Sequence, residues 1–401
     1  QTEQSRKRLH ESANRFTAKP TGQPPWLENI RHRHDNGQAG SGTNHFRLIR
    51  IAVIGGGING VMAAWELAKA GHSVELIEKS SVMSATSSAS TKLLHGGMRY
   101  LEHGKFSLVR ESLRERAWWL EAAPDVTQVI PILFPIFQRS PRSRWTIKLG
   151  MVLYDRLAGK FGVGKHRWVS CAELTEVMPN LKSAGLKGAY LFYDGQMDDY
   201  ALGLWATEQA KSEGVTVLEH TQVDCITVDG SVEIQGNQRQ YDRVVNVTGP
   251  WAVELLKQSG LPYEYDLDLV RGSHLLLDRN IKHGMMLTAQ TDGRLFFVLP
   301  YKGKTLLGTT EVRQDLSEPV VCSESETDYL ITVYNDSFDD SIDQSDVLSS
   351  FAGLRPLLKS HKNPNRATRE YRIEQHEKVI SVFGGKWTTA RALAKKITAK
   401  L

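Results

Sequence analysis

Hydrophobic and polar positions alternate along this chain in two periods. The apolar run Ile51 to Ile54 suits a buried strand. It breaks into a turn at Gly55, Gly57 and Gly60, and apolar positions then recur at helical spacing from about Ile58 to Ala70. A second strand is expected from Ser73 to Ile77, delivering Glu78. Helical spacing returns from Phe106 to Ala122. Ala189 to Tyr200 reads as a strand ending in a turn, then a helix capped by Asp198 or Asp199. Short strands alternate from Val215 to Val247, and several strand-like runs between Leu267 and Gly308 suggest an antiparallel sheet. The acid-rich stretch Ser323 to Ser345 reads as an exposed helix. Ser381 onward reads as a strand, a turn at Gly384 and Gly385, and a closing helix.

The first of these patterns carries chemistry. Strand, G-x-G-x-x-G, helix, strand and an acidic residue about 20 positions on make the dinucleotide fingerprint in full context. Gly55 permits the tight turn, Gly57 lets backbone approach a pyrophosphate, and Gly60 lets helix and strand pack closely. The helix N-terminus offers unpaired N–H groups to phosphate, and the Glu78 carboxylate suits ribose hydroxyls. A glycine-rich turn alone would be weak support; both strands and the acid in register make it strong.

Composition narrows the class. The hydrophobic fraction of 40% is that of an ordinary globular protein, and no apolar run is long enough to span a bilayer. Cys171, Cys225 and Cys322 stand far apart without metal-site spacing, so neither a disulfide framework nor a zinc centre is expected, in keeping with a reducing compartment. The net charge is +5; residues 1 to 50 hold nine Lys and Arg against four Asp and Glu. Taking these from the totals of 50 and 45 leaves 41 of each, so the body is balanced and has no nucleic-acid footprint. Residues 1 to 46, polar, basic and without periodicity, read as a disordered leader.

Two further stretches invite a functional reading beside a bland one. Ala85 to Glu102, ATSSASTKLLHGGMRYLE, is either a Ser-rich loop leading to a helix or a second cradle whose small residues lie against a flat cofactor. Arg139, Arg142, Arg144 and Lys148 cluster with Trp145, Ile147, Leu149 and Met151. That pattern fits a basic amphipathic helix on an anionic bilayer as well as a solvated helix packed by one face.

From about Leu48 to its end, the chain resembles the flavin-dependent glycerol-3-phosphate dehydrogenases of the D-amino-acid-oxidase-like superfamily. The resemblance rests on IGGGING, ATSSASTKLLHGGMRYLE, VVNVTGPW, RGSH, LGTTE, GLRPL, TREY and SVFGGKWTT in family order. It implies an α/β fold: a Rossmann-type FAD-binding domain (about 47–125, 198–262 and 346–401) interleaved with an antiparallel-sheet substrate domain (about 126–197 and 263–345). It implies FAD held by Gly55, Gly57, Gly60 and Glu78, by Ser87, Ser88 and Thr91, by Thr248 and Gly249, and by Gly384, Gly385, Lys386 and Thr388.

The activity implied is oxidation of a phosphorylated three-carbon polyol, sn-glycerol 3-phosphate, to the ketone. Electrons would pass to a quinone, in the cytoplasm or on the inner face of the cytoplasmic membrane. The matching motif positions assign Arg355 and Arg369 to the phosphate, with Arg99 and Tyr100 alongside; an Arg fork suits phosphate oxygens. Lys386 would face the ring or the substrate hydroxyl. His274, whose ordinary pKa lies near working pH, is the expected proton acceptor, although a lone His in an apolar strand is more often structural. Many family members continue beyond the point matching Leu401 into a helical domain. Two alternatives stand beside this reading: a related flavoenzyme acting on an amino or hydroxy acid, and a non-catalytic flavin-binding protein.

Overall fold

The computed structural model describes residues 48–359 and 371–401. The expected leader over 1–46 and the predicted ligand Arg369 lie outside the described residues.

Two sheets organise the fold. The first has six strands in the order Arg372–His376, Val379–Phe383, Arg243–Asn246, Arg50–Ile54, Ser73–Ile77 and Thr216–Leu218. All neighbouring pairs are parallel except the first, which is antiparallel. The central strand Arg50–Ile54 is buried from Ile51 onward, as a parallel strand covered on both faces must be. Its helix, Ile58–Lys69, packs with Asp199–Ser212 and Ala390–Thr398 around Met62, Leu67, Ala206 and Leu393 on one face. Ala252–Gln258 and a small three-stranded meander cover the other through Ile226, Val232 and Leu256. The bounds of Arg50–Ile54, Ile58–Lys69 and Ser73–Ile77 fall within a residue of those read from periodicity, whereas the strand expected from Ser381 begins at Val379.

The second sheet has ten strands. Its pairs are antiparallel apart from one parallel junction, where Gly284 and Met285 meet Ile132 and Leu133. Thr127–Phe137 and Leu186–Met197 pair along their whole length, as do Leu267–Leu277 and Val347–Leu358. That last strand lies in the stretch assigned from sequence to the cofactor half, yet it pairs with Leu267–Leu277 in this second sheet. Leu93 and Leu94, likewise, pair with Gln196 and Gly195 there.

Helix Glu324–Ser337 packs Leu330, Val333 and Tyr334 behind this sheet, so only its outer face is solvated. Ser323 and Glu326 close its N-terminus as a capping box. Helix Arg144–Ala158 buries Ile147, Met151, Tyr154 and Ala158 while Trp145 and Leu149 stay 69% exposed.

Candidate active site

The two sheets meet at a cavity of about 1510 Å³. That volume exceeds the roughly 300–1,000 Å³ of a drug-sized pocket and suits an extended cofactor plus a small substrate. Its cofactor end is built as the fingerprint requires. Gly55 has φ +112°, and a Cβ there would lie 2.7 Å from the Val247 carbonyl oxygen. At Gly60 a Cβ would come within 1.8 Å of the Gly55 oxygen, so this glycine sets the helix against the turn without itself lining the cavity. Gly57 caps the helix without a side chain, and the Ile58 N–H donates to Ser87 Oγ at 3.0 Å. Glu78 accepts from the Gly56 and Ser80 N–H groups at 2.6 and 2.8 Å, which fixes its carboxylate at the cavity wall.

The Ser-rich loop reaches the cavity at Ser87 and Thr91. Ser88 does not: its hydroxyl donates to the Ala85 carbonyl and its own carbonyl accepts from Lys92 Nζ. The cause is a buried ion pair between Lys92 and Asp199 at 2.6 Å. Asp199 also accepts from the Ser90 N–H and hydroxyl, pinning the loop from behind. Thr248, Gly249, Gly384, Gly385 and Thr388 complete this end.

At the substrate end, strand Leu267–Leu277 turns Val270, Gly272 and His274 toward the cavity, and Arg271 and Ser273 away, by the two-residue period of a strand. His274 is 3% exposed. It stacks on Phe351, with ring centroids 4.9 Å apart and planes 14° from parallel, and Nε2 shares a 2.9 Å hydrogen bond with Thr91 Oγ1. Burial, then the positive charges of Arg355 and Lys92, push its pKa down to about 3, so the ring is neutral at physiological pH. The neighbouring strand brings Arg355, whose Nη2 donates to the Thr310 carbonyl at 2.6 Å. Lys386 Nζ lies 3.9 Å from the centroid of the Tyr100 ring. His274, Arg355, Lys386 and Tyr100 therefore share one cavity. Arg99 falls in the short helical turn Met98–His103.

Of the ten buried side-chain polar atoms without a partner among the described residues, three lie at the cavity. Asn59 Oδ1, Tyr100 Oη and His274 Nδ1 lack a hydrogen bond, and all three residues line the cavity. Buried polar groups rarely stay unpaired, so these atoms fit a site made for a polar ligand, here a dinucleotide and its substrate. Asn59 was not singled out from sequence, although it stands inside the fingerprint. Trp387, also overlooked, lines the cavity and donates through Nε1 to the Ser87 carbonyl at 2.7 Å.

Comparison with known proteins gives the same picture. The FAD dependent oxidoreductase family matches residues 50–400. A glycerol-3-phosphate dehydrogenase from Pseudomonas tolaasii is 36% identical over 375 residues, covering 88% of this chain and 71% of the relative. A D-erythritol 1-phosphate dehydrogenase from Brucella abortus is also 36% identical, over 86% of this chain and 72% of the relative. Among solved structures, the glycerol-3-phosphate dehydrogenase from Bacillus halodurans complexed with FAD superposes with a TM-score of 0.70 at 27% identity, over 88% of this chain. The chain spans 64% of that protein's length, just under two thirds. The chain belongs to the FAD-dependent glycerol-3-phosphate dehydrogenase family, a branch of the FAD dependent oxidoreductases with the D-amino-acid-oxidase-like fold.

Proposed function

We propose that this protein oxidises sn-glycerol 3-phosphate to dihydroxyacetone phosphate. One observation carries the reading: a phosphate-fitting guanidinium, Arg355, and a neutral buried imidazole, His274, lie in the same cavity as a complete dinucleotide fingerprint. Bound FAD supplies the hydride acceptor. The residues of the chain do the rest. Arg355, with Arg369, Arg99 and Tyr100, takes the dianionic phosphate and so orients the carbinol carbon. His274 accepts the hydroxyl proton at a ring nitrogen. Its low basicity is partly the work of Arg355, and an arriving dianion cancels that charge, so the ring becomes a better base when substrate is in place. Lys386, beside the Gly384–Gly385 turn, supplies positive charge where negative charge develops.

Electrons then pass to a quinone, and the exposed Trp145 and Leu149 on a helix carrying Arg144 and Lys148 support a peripheral seat on the inner face of an anionic membrane. Among the described residues no helix is long and apolar enough to cross a membrane.

A second reading, D-erythritol 1-phosphate as substrate, is favoured by the equal identity to the Brucella abortus relative. Asp268, Glu311 and Arg313 on the cavity wall give a longer polyol's hydroxyls groups to bond. Anaerobic titration of the purified holoprotein decides. Bleaching of the flavin by glycerol 3-phosphate, with none by sarcosine or D-alanine, supports the first reading. Preference for the four-carbon phosphate supports the second. Bleaching by amino acids alone, or by none of these compounds, overturns both.

A further inference from the structure

Behind the substrate sheet, on the face away from the cavity, one carboxylate gathers the groups that hold the site in shape. Glu326 is 3% exposed. Its Oε1 accepts from the Ser273 hydroxyl at 2.8 Å and the Thr310 hydroxyl at 2.6 Å, and its Oε2 pairs with Arg271 Nη2 at 2.8 Å. Each partner leads to the site. Ser273 precedes His274 on its strand, and its N–H donates to Thr310 Oγ1 at 2.8 Å. The Thr310 carbonyl accepts from Arg355 Nη2.

A capping box needs only the Ser323 bonds at Oε2 and the Ser323 backbone. It does not account for Oε1, which is turned to the sheet and filled by two hydroxyls. Burial alone would push the Glu326 carboxyl up, but hydrogen bonds from Thr310, Ser273 and Ser323 hold it below the usual carboxylate range, so it stays charged at neutral pH. A buried charge held this way fixes its neighbours firmly, because each of them would lose a charge-assisted bond by moving.

We propose that Glu326 is a positioning residue for the substrate: through Thr310 it aims the Arg355 guanidinium into the cavity, and through Ser273 it fixes the strand that carries His274. The proposal rests on the polyol-phosphate reading above. No sequence motif marks it, since Glu326 presents itself only as the third residue of a capped helix.

The test is a double-mutant cycle read by binding. Glu326→Gln, Arg355→Ala and the double variant, each as holoprotein, are titrated calorimetrically with glycerol 3-phosphate and with inorganic phosphate, and their melting temperatures are measured alongside. Glu326→Gln is expected to weaken both ligands about tenfold in the wild-type background and to have almost no effect once Arg355 is Ala. Thr310→Ser, which keeps the hydroxyl, should bind as wild type does, while Thr310→Val should fall with Glu326→Gln. An equal loss in both backgrounds would mean that Glu326 acts only as scaffold, and unchanged binding in Glu326→Gln would remove the proposal outright. If wild type itself binds neither ligand, the polyol-phosphate reading fails and this inference with it.

Discussion

Gly272 lies directly beneath the Arg355 guanidinium: a Cβ added at Gly272 would stand 2.1 Å from Arg355 Nη2 and 2.8 Å from its Cζ. The third near atom is Thr309 Oγ1 at 2.6 Å, so the three nearest obstacles all belong to side chains. Gly272 sits in a regular strand without positive φ, where Ala is conformationally acceptable and even reduces the freedom of the unfolded chain. Gly272→Ala should therefore fold normally while displacing the guanidinium. The expected outcome is an unchanged melting temperature with KM for the polyol phosphate raised tenfold or more, about 1.4 kcal/mol of binding. A variant that loses stability and substrate affinity together would show that the glycine serves packing instead.

His274 gives stability a pH dependence of known sign. Its pKa is about 3 when folded, against an ordinary value of 6.5, because burial and then Arg355 and Lys92 disfavour the charged ring. Between those two pH values the unfolded chain binds the proton that the folded chain refuses, so stability falls as pH drops through this window and is fully recovered above the ordinary value. His274→Gln removes the titrating group. Denaturant midpoints measured from pH 7 down to pH 4 should fall less steeply in the variant than in wild type. Equal slopes would show that the ring is protonated in the folded protein.

Sequence patterns near these residues were legible to different depths. The fingerprint could be read because its parts are local: glycines at fixed offsets, a helical period, and an acid after the next strand. Gly60 sets the helix close against the turn at Gly55, and Glu78 follows the second strand with its carboxylate accepting from the Gly56 N–H. The helix cap was legible for the same reason as far as Asp198 or Asp199, and it is the Asp198 carboxylate that accepts from the Ala201 N–H three residues on. Strand Val347–Leu358 was not, because only pairing with Leu267–Leu277, some 80 residues earlier in the chain, draws it into the substrate sheet. Nor did sequence reveal that Ser88 turns from the cavity. That orientation follows from Lys92 and Asp199, 107 positions apart. Gly308 lies opposite His274 across the strands, where a Cβ would meet the imidazole at 2.3 Å. The motifs around both glycines are visible as strings, but the contact that explains each of them crosses the sheet.

The Lys92–Asp199 pair is itself a test of how the cofactor loop is held. Both side chains are almost fully buried, at 8% and 0% exposure. Removing one member leaves the other charge uncompensated, which costs roughly 3–5 kcal/mol, whereas replacing both with apolar residues of similar volume is often neutral. Asp199→Leu alone should lower the melting temperature sharply and release flavin on gel filtration. The paired Lys92→Met and Asp199→Leu variant should recover most of the stability. Its flavin should still be held loosely, since Ser90 loses both of its bonds to Asp199. Full recovery of flavin retention in the paired variant would show that the loop is held by packing alone.

Helix Arg144–Ala158 is held to the body by its inner face, where the Tyr154 hydroxyl donates to Asp194 at 3.1 Å, so its outer face can be altered without unfolding it. On that face Lys148 lies 5.3 Å from the Trp145 ring, and Leu149 is as exposed as Trp145. Basic residues near an anionic surface contribute about 1 kcal/mol each, screened as salt rises, and the two apolar side chains add burial in the headgroup region. Sedimentation with vesicles containing phosphatidylserine should show binding that weakens with salt and is lost in the Trp145→Ser, Leu149→Ser double variant. Bleaching of the flavin by substrate in solution should be unchanged in that variant, because neither residue lines the cavity. Binding to neutral and anionic vesicles alike, or binding that survives the double substitution, would place the membrane contact on another surface of the molecule.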